Sequence, residues 1–388
     1  MKRYLMYLMV LTLVLLPSIT SYAKKTKEPY KIGVIHPLTG PLAMKTCVQA
    51  MEMVVEEVNA EGGINGHPVK LFVEDSEIKT ERGVAAATKL IEREKVIAIV
   101  GPWFTNVAIG VIPVTEKAKI VLFSHLTSNP RLHEMGPNYF FRMSPDDIMA
   151  SKALARHVAS EYGAKLKLGV FHGVNPWEIG GKKAMEAALK VYEIVPIAAV
   201  PITSGSASFV PELMRLRAAG VEAIFPSCNQ GDQIRMGANL KEMGWDVKVF
   251  SRFPMGNPKI HIASRGALDG TYFVDTIDSN NPKTMAWRAK FEKKYDTMWD
   301  GNINGHSYET MRIVMEVLKK SGADREKFRE ALEGIKNFKL EVIGAPGCVA
   351  SFSRTNHHGL SEAPDAFAIS RWVPGKPGVR ETIWVGKR

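Results

Sequence analysis

Two polar turns follow neighbouring apolar strands in the first third of the chain. The first strand, residues 96–100, breaks at Gly101 and leads into a helix near Thr105, and the second, residues 120–123, runs into the polar stretch 124–130. This pattern indicates a βαβ unit in which both strands end at the same edge of a parallel sheet. Because small ligands bind in the crevice beyond such strand ends, the sequence predicts a ligand-binding site here.

Strands and helices alternate along most of the chain. A strand over residues 30–35 precedes a helix whose apolar residues recur every three or four positions. The alternation resumes over residues 146–250, which predicts a second α/β lobe. Two stretches echo each other, VIAIVGPWFTNVAI and VEAIFPSCNQGDQI, and each runs from an apolar strand through a polar turn into a helix. We therefore expect two sheet edges that face each other across a cleft.

The first 23 residues differ in composition from the rest. Lys2 and Arg3 precede an apolar stretch of about a dozen residues, and a Ser-Tyr-Ala sequence follows. This pattern predicts a cleaved secretory signal peptide over residues 1–23. No later segment approaches the roughly 20 apolar residues that a membrane span needs, and no cysteine lies near the cleavage position to carry a lipid. We expect a periplasmic protein.

Charge and motifs argue against two other classes of function. The net charge is +11, but the basic residues are spread along helices without a basic aromatic patch, so nucleic acid is not an expected partner. GxSxG, HExxH and phosphate-binding glycine motifs are absent from the sequence. The adjacent His357 and His358 would point to opposite faces of a strand. We expect no enzyme activity, no catalytic residue, no metal and no cofactor.

The three cysteines, Cys47, Cys228 and Cys348, have no metal-binding spacing. In an oxidising compartment they allow one intramolecular disulfide at most, and the sequence does not select a pair. Cys47 falls on the apolar face of a helix and is expected in the core.

Six stretches, in order along residues 31–359, resemble the periplasmic leucine-binding family, the type I solute-binding proteins of ABC importers. They are KIGVIHPLTGP, EEVNAEGGINGHPVKLFVEDS, AATKLIEREKVIAIVGP, VLFSHLTSNP, YFFRMSPDD and SFSRTNHHG. The resemblance implies an α/β fold of two doubly wound parallel-sheet lobes joined by a three-strand hinge. One lobe would contain residues 24–143 and 276–349, and the other residues 144–275 and 350–388.

The resemblance also implies ligand contacts in the first lobe. Thr105 aligns with the position whose hydroxyl and backbone N–H receive a ligand carboxylate, and the partial positive charge of a helix start suits an anion. Thr105 could equally be an ordinary helix cap. A loop that supplies backbone groups and a hydroxyl to the ligand aligns with Leu126, Thr127 and Ser128. The polar groups of such a loop could instead hydrogen-bond one another within a turn. Trp103 would wall the pocket or pack between the lobes.

In the second lobe, Trp177 lies in a predicted loop where relatives place an aromatic side chain that closes over the ligand. A loop tryptophan needs such a cover, from a ligand or from the other lobe. Asn229 and Gln230 precede a helix and would hydrogen-bond the ligand across the cleft or act as plain turn residues.

The chain departs from the family pattern at Phe253, where relatives that hold a ligand ammonium place a carboxylate. An unpaired buried ammonium is costly, so either Glu178 or Asp232 replaces that acid or the ligand has no ammonium. Arg252 and Phe253 would instead suit an apolar or aromatic carboxylate, with Arg252 as a second clamp on the acid.

These features predict an exported, monomeric solute-binding protein. It would capture a small organic acid, either an amino acid or an aromatic or aliphatic carboxylate, and deliver it to an inner-membrane ABC permease. The alternative is a ligand sensor of the same fold that acts on a signalling partner.

Overall fold

The computed structural model describes residues 27–40, 43–360 and 364–385. Its strands are β1 (Tyr30–His36), β2 (Val69–Asp75), β3 (Ala98–Val100), β4 (Leu122–Ser124), β5 (Phe140–Arg142), β6 (Leu168–His172), β7 (Ala198–Pro201), β8 (Ala223–Ser227), β9 (Lys248–Ser251), β10 (Tyr272–Asp275), β11 (Phe338–Lys339), β12 (Val349–Ala350), β13 (Ala368–Trp372) and β14 (Arg380–Val385).

The α-helices are α1 (Lys45–Ala60), α2 (Thr80–Glu92), α3 (Thr105–Ala118), α4 (Arg131–Glu134), α5 (Asp147–Tyr162), α6 (Pro176–Lys190), α7 (Val210–Ala218), α8 (Gln230–Glu242), α9 (Pro258–Ala263), α10 (Pro282–Tyr295), α11 (Asn302–Ser321) and α12 (Arg325–Glu333). Short 3-10 helices cover Phe253–Gly256 and Pro364–Ala366.

The first sheet has five parallel strands in the order β2-β1-β3-β4-β5. The strand order reverses between β1 and β3, which makes the sheet doubly wound. Ile35 and Ile99 pack with α2 and α3, whereas Val34 and Val100 belong to the core that includes α1 and α11. Both faces of the sheet are therefore buried, as parallel sheets require. We call this sheet and its helices the first lobe.

The second sheet has seven strands in the order β14-β13-β10-β9-β8-β6-β7. Strands β6 to β10 pair in parallel, and β13 and β14 add an antiparallel edge. Its order reverses between β6 and β8. This sheet and its helices form the second lobe, and the predicted fold class of two doubly wound lobes is confirmed.

A glycine allows the ends of β1 and β3 to lie close together. Gly101 follows β3 with a φ of +107°, and a Cβ atom there would lie 2.2 Å from the Ile35 carbonyl oxygen. Only glycine combines this backbone conformation with such a close approach. The turns that follow β1 and β3 therefore start side by side.

The start of α3 differs by one residue from the predicted cap. The helix begins at Thr105, so Thr105 is its first helical residue and Phe104 occupies the cap position. Phe104 has an extended backbone, with φ of −82° and ψ of 134°, but no side-chain oxygen with which to cap the helix. Thr105 is therefore not an ordinary cap residue.

The start of α6 corrects the predicted position of Trp177. Asn175 and Glu178 form a reciprocal capping box, and Pro176 occupies the first helical position, for which its restricted φ is suited. The helix consequently begins at Pro176, and Trp177 lies in its first turn instead of in a loop.

The side chains of Cys47, Cys228 and Cys348 are buried, and none of the three forms a disulfide in the structure. Cys47 lies in the core at 0% exposure, as predicted.

The end of β5, beside the predicted lobe boundary after residue 143, pairs with the segment 357–359. The Arg142 backbone N–H donates to the His357 carbonyl at 2.9 Å, and the Gly359 N–H donates to the Arg142 carbonyl at 2.9 Å. These bonds join the end of β5 to the segment 357–359 in a parallel bridge. The assignment of residues 24–143 with 276–349 and of 144–275 with 350–388 to separate lobes stays a prediction.

Histidines surround the bridge between Arg142 and the segment 357–359. The His133 ring stacks on His358 with 5.7 Å between centroids, and His357 stacks on Phe141 at 3.9 Å. Burial lowers the pKa of His133 to about 3, and the nearby Arg142 guanidinium acts in the same direction. Burial and Arg142 also hold the pKa of His358 well below its usual value. These rings are neutral in the folded protein at neutral pH.

These neutral histidines predict that the stability of the folded protein falls in acid. The folded pKa of His133, about 3, lies below its ordinary value of 6.5, so its contribution to stability is complete above pH 6.5 and is lost as the pH falls towards 3. His133→Phe keeps a packed ring without the titrating group. We expect the free energy of unfolding, measured with urea, to depend less steeply on pH by up to about 1.4 kcal/mol per pH unit in this window.

The control for this experiment is Met135→Leu, an exposed neighbour that should leave the slope unchanged. Equal slopes for His133→Phe and the unmodified protein would contradict the assignment of the proton uptake to His133.

Candidate functional site

Thr105 lies beyond the end of β3 at the start of α3 and is 8% exposed. Within the described residues, the first turn of α3 has neither an acidic side chain nor a side-chain cap. By contrast, Asp146, Asn175 and Asn229 cap α5, α6 and α8. Because a helix start leaves its first N–H groups unpaired, α3 offers backbone donors and a partial positive charge to an anion.

The loop after β4 is held by its own hydroxyl groups. The Ser124 hydroxyl donates to the Pro102 carbonyl at 3.0 Å, which fixes this loop beside the one that follows β3. The Thr127 hydroxyl and backbone N–H donate to Ser124 Oγ at 2.6 and 3.1 Å. Thr127 is therefore engaged inside the turn. Leu126 is partly buried and packs, together with Trp103, on a small apolar cluster.

Ser128 and Trp177 meet across the two lobes. Trp177 Nε1 donates to Ser128 Oγ at 3.1 Å, and beside it Asn129 Nδ2 donates to the Pro176 carbonyl at 3.4 Å. The Asp147 backbone N–H also donates to the Ser128 carbonyl at 2.8 Å. The structure thus brings together two predicted site residues, one from the loop after β4 and one from the helix after β6.

The Trp177 ring lies against a buried guanidinium. Arg252 is 1% exposed, and its Cζ atom is 4.1 Å from the centroid of the indole ring. Arg252 Nη1 pairs with Asp147 Oδ1 at 2.7 Å, and Nη2 donates to Ser227 Oγ at 3.1 Å. Burial raises the pKa of Asp147, although the Arg252 charge and the Ser128 hydroxyl act in the opposite direction. The charge of Arg252 is therefore balanced inside the second lobe.

The two carboxylates considered as partners for a ligand ammonium are already engaged. Glu178 Oε2 accepts from the Asn175 N–H at 3.2 Å. Asp232 accepts from the Gly205 N–H at 2.8 Å and from Asn229 Nδ2 at 2.5 Å. Burial raises the pKa of Glu178, and the nearby Asp232 carboxylate acts in the same direction. Both acids stabilise polar groups of their own lobe.

The remaining predicted contacts lie at the ends of β8 and β9. Asn229 caps α8, with its Oδ1 accepting from the Asp232 N–H at 3.0 Å, and Gln230 is the buried first residue of that helix. Phe253 is partly buried at the start of the 3-10 helix after β9. Its carbonyl accepts from Asn302 Nδ2 at 3.4 Å, which links this turn to the start of α11.

Two open surface depressions on the second lobe lie away from these residues. One is lined by side chains that include Tyr162 and Trp245, and the other by side chains that include Tyr272 and Arg371. Neither contains a predicted ligand contact. The candidate site is the junction between the lobes, where the facing groups already touch.

Sequence reasoning missed two carboxylates at this junction, Asp147 and Asp300. The sequence contained a signal for Asp147, because Asp146 and Asp147 are adjacent and one acid is enough to cap α5. Asp300 accepts from the Thr46 hydroxyl, from Asn257 Nδ2 at 2.9 Å and from Lys259 Nζ at 3.0 Å. It thereby joins the start of α1 to the start of α9. No local pattern indicated this role, since these partners are distant in sequence.

Comparisons with known proteins show the family and the fold of the chain. The family model described as periplasmic binding protein matches residues 29–372. The chain belongs to the periplasmic binding protein family. Leu/Ile/Val-binding protein homolog 3 of Brucella melitensis biotype 1 is 25% identical over 376 residues, which are 96% of this chain and 99% of that protein. The resemblance to the leucine-binding family is confirmed.

Two further matches, one in sequence and one in fold, differ in what their names say they bind. An amino acid binding protein of Pseudomonas aeruginosa is 28% identical over 222 residues, which are 57% of this chain and 59% of that relative. The fold also matches a solute binding protein of an ABC transporter from Rhodopseudomonas palustris, solved in complex with 3,4-dihydroxybenzoic acid. That match has a TM-score of 0.79 and 17% identity, and it covers 92% of this chain and 98% of the other.

Members of this family are substrate-binding proteins of the periplasm. Among the described helices, none is long and apolar enough to cross a membrane. The predicted signal peptide, residues 1–23, lies outside the described residues.

The buried pair beneath Trp177 predicts a large effect of Asp147→Asn on stability. The change removes the countercharge of Arg252 with little change of shape, and leaving a buried charge unpaired costs about 3–5 kcal/mol. We expect a loss of this size in the free energy of unfolding measured with urea.

Glu212→Gln is the matched control, because it breaks the Arg215–Glu212 pair, in which Arg215 is exposed and Glu212 is half-buried, and should cost less than about 1 kcal/mol. A similarly small loss in the free energy of unfolding for Asp147→Asn would show that Asp147 does not stabilise the buried charge of Arg252.

Proposed function

We propose that this periplasmic binding protein captures a small organic acid between its lobes and, acting as a monomer, delivers it to an inner-membrane ABC permease. One observation carries the proposal: the uncapped start of α3 lies next to the loop whose Ser128 contacts Trp177 of the other lobe. An anion-binding helix start and a contact between the lobes thus occur at one place.

The first lobe is suited to the acid end of the ligand. The N–H groups of the first turn of α3 and the Thr105 hydroxyl are donors, and the helix dipole favours negative charge there. Thr127 contributes less, because its hydroxyl is engaged by Ser124. Ser128 presents a hydroxyl that accepts from Trp177 and lies beside the Asp147 carboxylate.

The second lobe is suited to cover the ligand. Trp177 provides a large apolar surface, and its position is maintained by Arg252 from within the lobe. A ligand that contacts Thr105 on one side and Trp177 on the other stabilises the closed arrangement of the lobes. The lobes close because the ligand binds their closed arrangement more tightly than their open one, as in any ligand-driven hinge motion.

A carboxylate without an ammonium group fits the second lobe best. Phe253 offers no charge, and the buried Glu178 and Asp232 accept hydrogen bonds from their own lobe. An ammonium placed among these groups would lack a free carboxylate partner. The relative from R. palustris that holds 3,4-dihydroxybenzoic acid supports this choice of ligand class, while the Leu/Ile/Val-binding homolog from Brucella keeps an amino acid as the competing ligand.

A thermal-shift screen of ligand-stripped protein tests the ligand class. We expect aromatic or aliphatic carboxylates to raise the melting temperature, because binding at about 100 times the dissociation constant adds roughly 2.7 kcal/mol of stability. Leucine, isoleucine and valine should have little effect. If these amino acids stabilise the protein and benzoate-like acids do not, the proposal for the second lobe is wrong.

Thr105→Ala tests the acid-binding role of α3. Loss of one hydrogen bond to a charged group costs about 1.5 kcal/mol, so the dissociation constant of each hit, measured by calorimetry, should rise about tenfold. Thr88→Ala is the matched control, because it removes a threonine hydroxyl whose hydrogen bond, to the Val84 carbonyl, lies inside the neighbouring helix α2. An unchanged dissociation constant for Thr105→Ala with every hit would remove Thr105 from the site.

A further inference from the structure

Three potential metal ligands meet where the strand order of the first sheet reverses. His36 is the last residue of β1, Cys47 lies in the first turn of α1, and His125 follows β4 directly. One ligand atom from each side chain lies within 4.8 Å of the other two. All three residues have an exposed fraction of 0%.

The histidine rings of this cluster lack a hydrogen bond of good geometry, and His36 has only a contact with the Met44 backbone. Across residues 27–40, 43–360 and 364–385, no well-aligned hydrogen bond reaches either nitrogen of His36 or of His125. Burial lowers the pKa of His36 to about 3, with the contact to the Met44 backbone acting in the opposite direction, and burial holds the pKa of His125 well below its usual value. Both rings are neutral and keep a free lone pair.

Apolar packing does not account for these side chains. The His36 ring lies 5.2 Å from His125 and 6.2 Å from Trp103, measured between centroids, and Cys47 packs with Met44. Aliphatic side chains would fill the same space without removing ring nitrogens from water. Buried polar atoms in native proteins nearly always have a partner, which here must come from outside the described side chains.

We infer that His36, Cys47 and His125 form a site for a thiophilic transition-metal ion, with Zn(II) as the ion that fits best. Imidazole and thiolate are the donors that zinc prefers, and three protein ligands leave a fourth position for water or another donor. Zinc binds nitrogen at about 2.0–2.1 Å and sulfur at about 2.3 Å, so each donor must move inward by less than about 1 Å.

Binding requires the thiol of Cys47 to lose its proton. Burial and the nearby Asp300 carboxylate raise the pKa of this thiol, so it is protonated without an ion. Zn(II) replaces the proton on Sγ, and the proton is released to solvent as the metal–thiolate bond forms.

The site does not depend on the proposed organic ligand. It joins the ends of β1 and β4 to the start of α1 within the first lobe, beside the partly buried Trp103 and Leu126. Metal binding should therefore stabilise the protein whether or not an acid is present.

The test is a titration of chelator-treated mature protein with Co(II), followed by Zn(II). We expect one equivalent of Co(II) to produce thiolate charge-transfer absorption and the intense visible bands of tetrahedral Co(II). Zn(II) should abolish both and raise the melting temperature. Absence of the charge-transfer absorption and of any change in melting would overturn the inference.

Variants assign the signal to these residues. Cys47→Ser should remove the charge-transfer absorption, and His125→Asn should weaken Co(II) binding more than about tenfold. Cys228→Ser is the control, because it removes a buried thiol from the second lobe and should leave the spectrum unchanged. If Cys47→Ser fails to fold by circular dichroism, His36→Gln replaces it in the test. Retention of the full signal and affinity in a folded ligand variant would refute the site.

Discussion

The buried guanidinium of Arg252 is the constraint on which the junction between the lobes depends. A charge this deep must be paired, and Asp147 and Ser227 supply its partners from the start of α5 and the end of β8. The space it needs exists because Gly181 has no side chain: a Cβ there would lie 2.1 Å from the guanidinium carbon. With Arg252 held in place, the Trp177 ring lies against it and the indole N–H reaches Ser128 of the other lobe.

The two lobes share a topology but differ in how the starts of their helices are capped. In the second lobe, Asn175 and Asn229 cap the helices that follow β6 and β8, so the N–H groups there already have side-chain acceptors. In the first lobe, Phe104 leaves the start of α3 without such an acceptor among the described residues. This asymmetry is the basis for the proposal that the acid end of a ligand binds the first lobe and its apolar part the second. It also explains why the same strand–turn–helix pattern in the two halves need not mean the same role.

Much of the fold could be predicted because its signals are local. The apolar spacing of α1 predicted Cys47 in the core, and Asn229 was predicted in the turn before a helix, which it caps in the structure. Local rules also explain the two errors at helix starts. The capping box around Pro176 was not recognised, so Trp177 was predicted in a loop. The hydroxyl of Thr105 suggested a cap, although the extended backbone of Phe104 places the cap one residue earlier.

By itself, the sequence determined the alternation of strands and helices, the family, and the strand ends at which polar groups gather, because periodicity and turn residues act over a few positions. Only the tertiary structure decided which of those groups are already engaged. Arg252 pairs with Asp147 across 105 positions, and Trp177 reaches Ser128 across 49. The meeting of His36, Cys47 and His125 likewise follows from the order of strands in the sheet. Such pairings depend on how distant segments pack, and no local spacing in the chain encodes them.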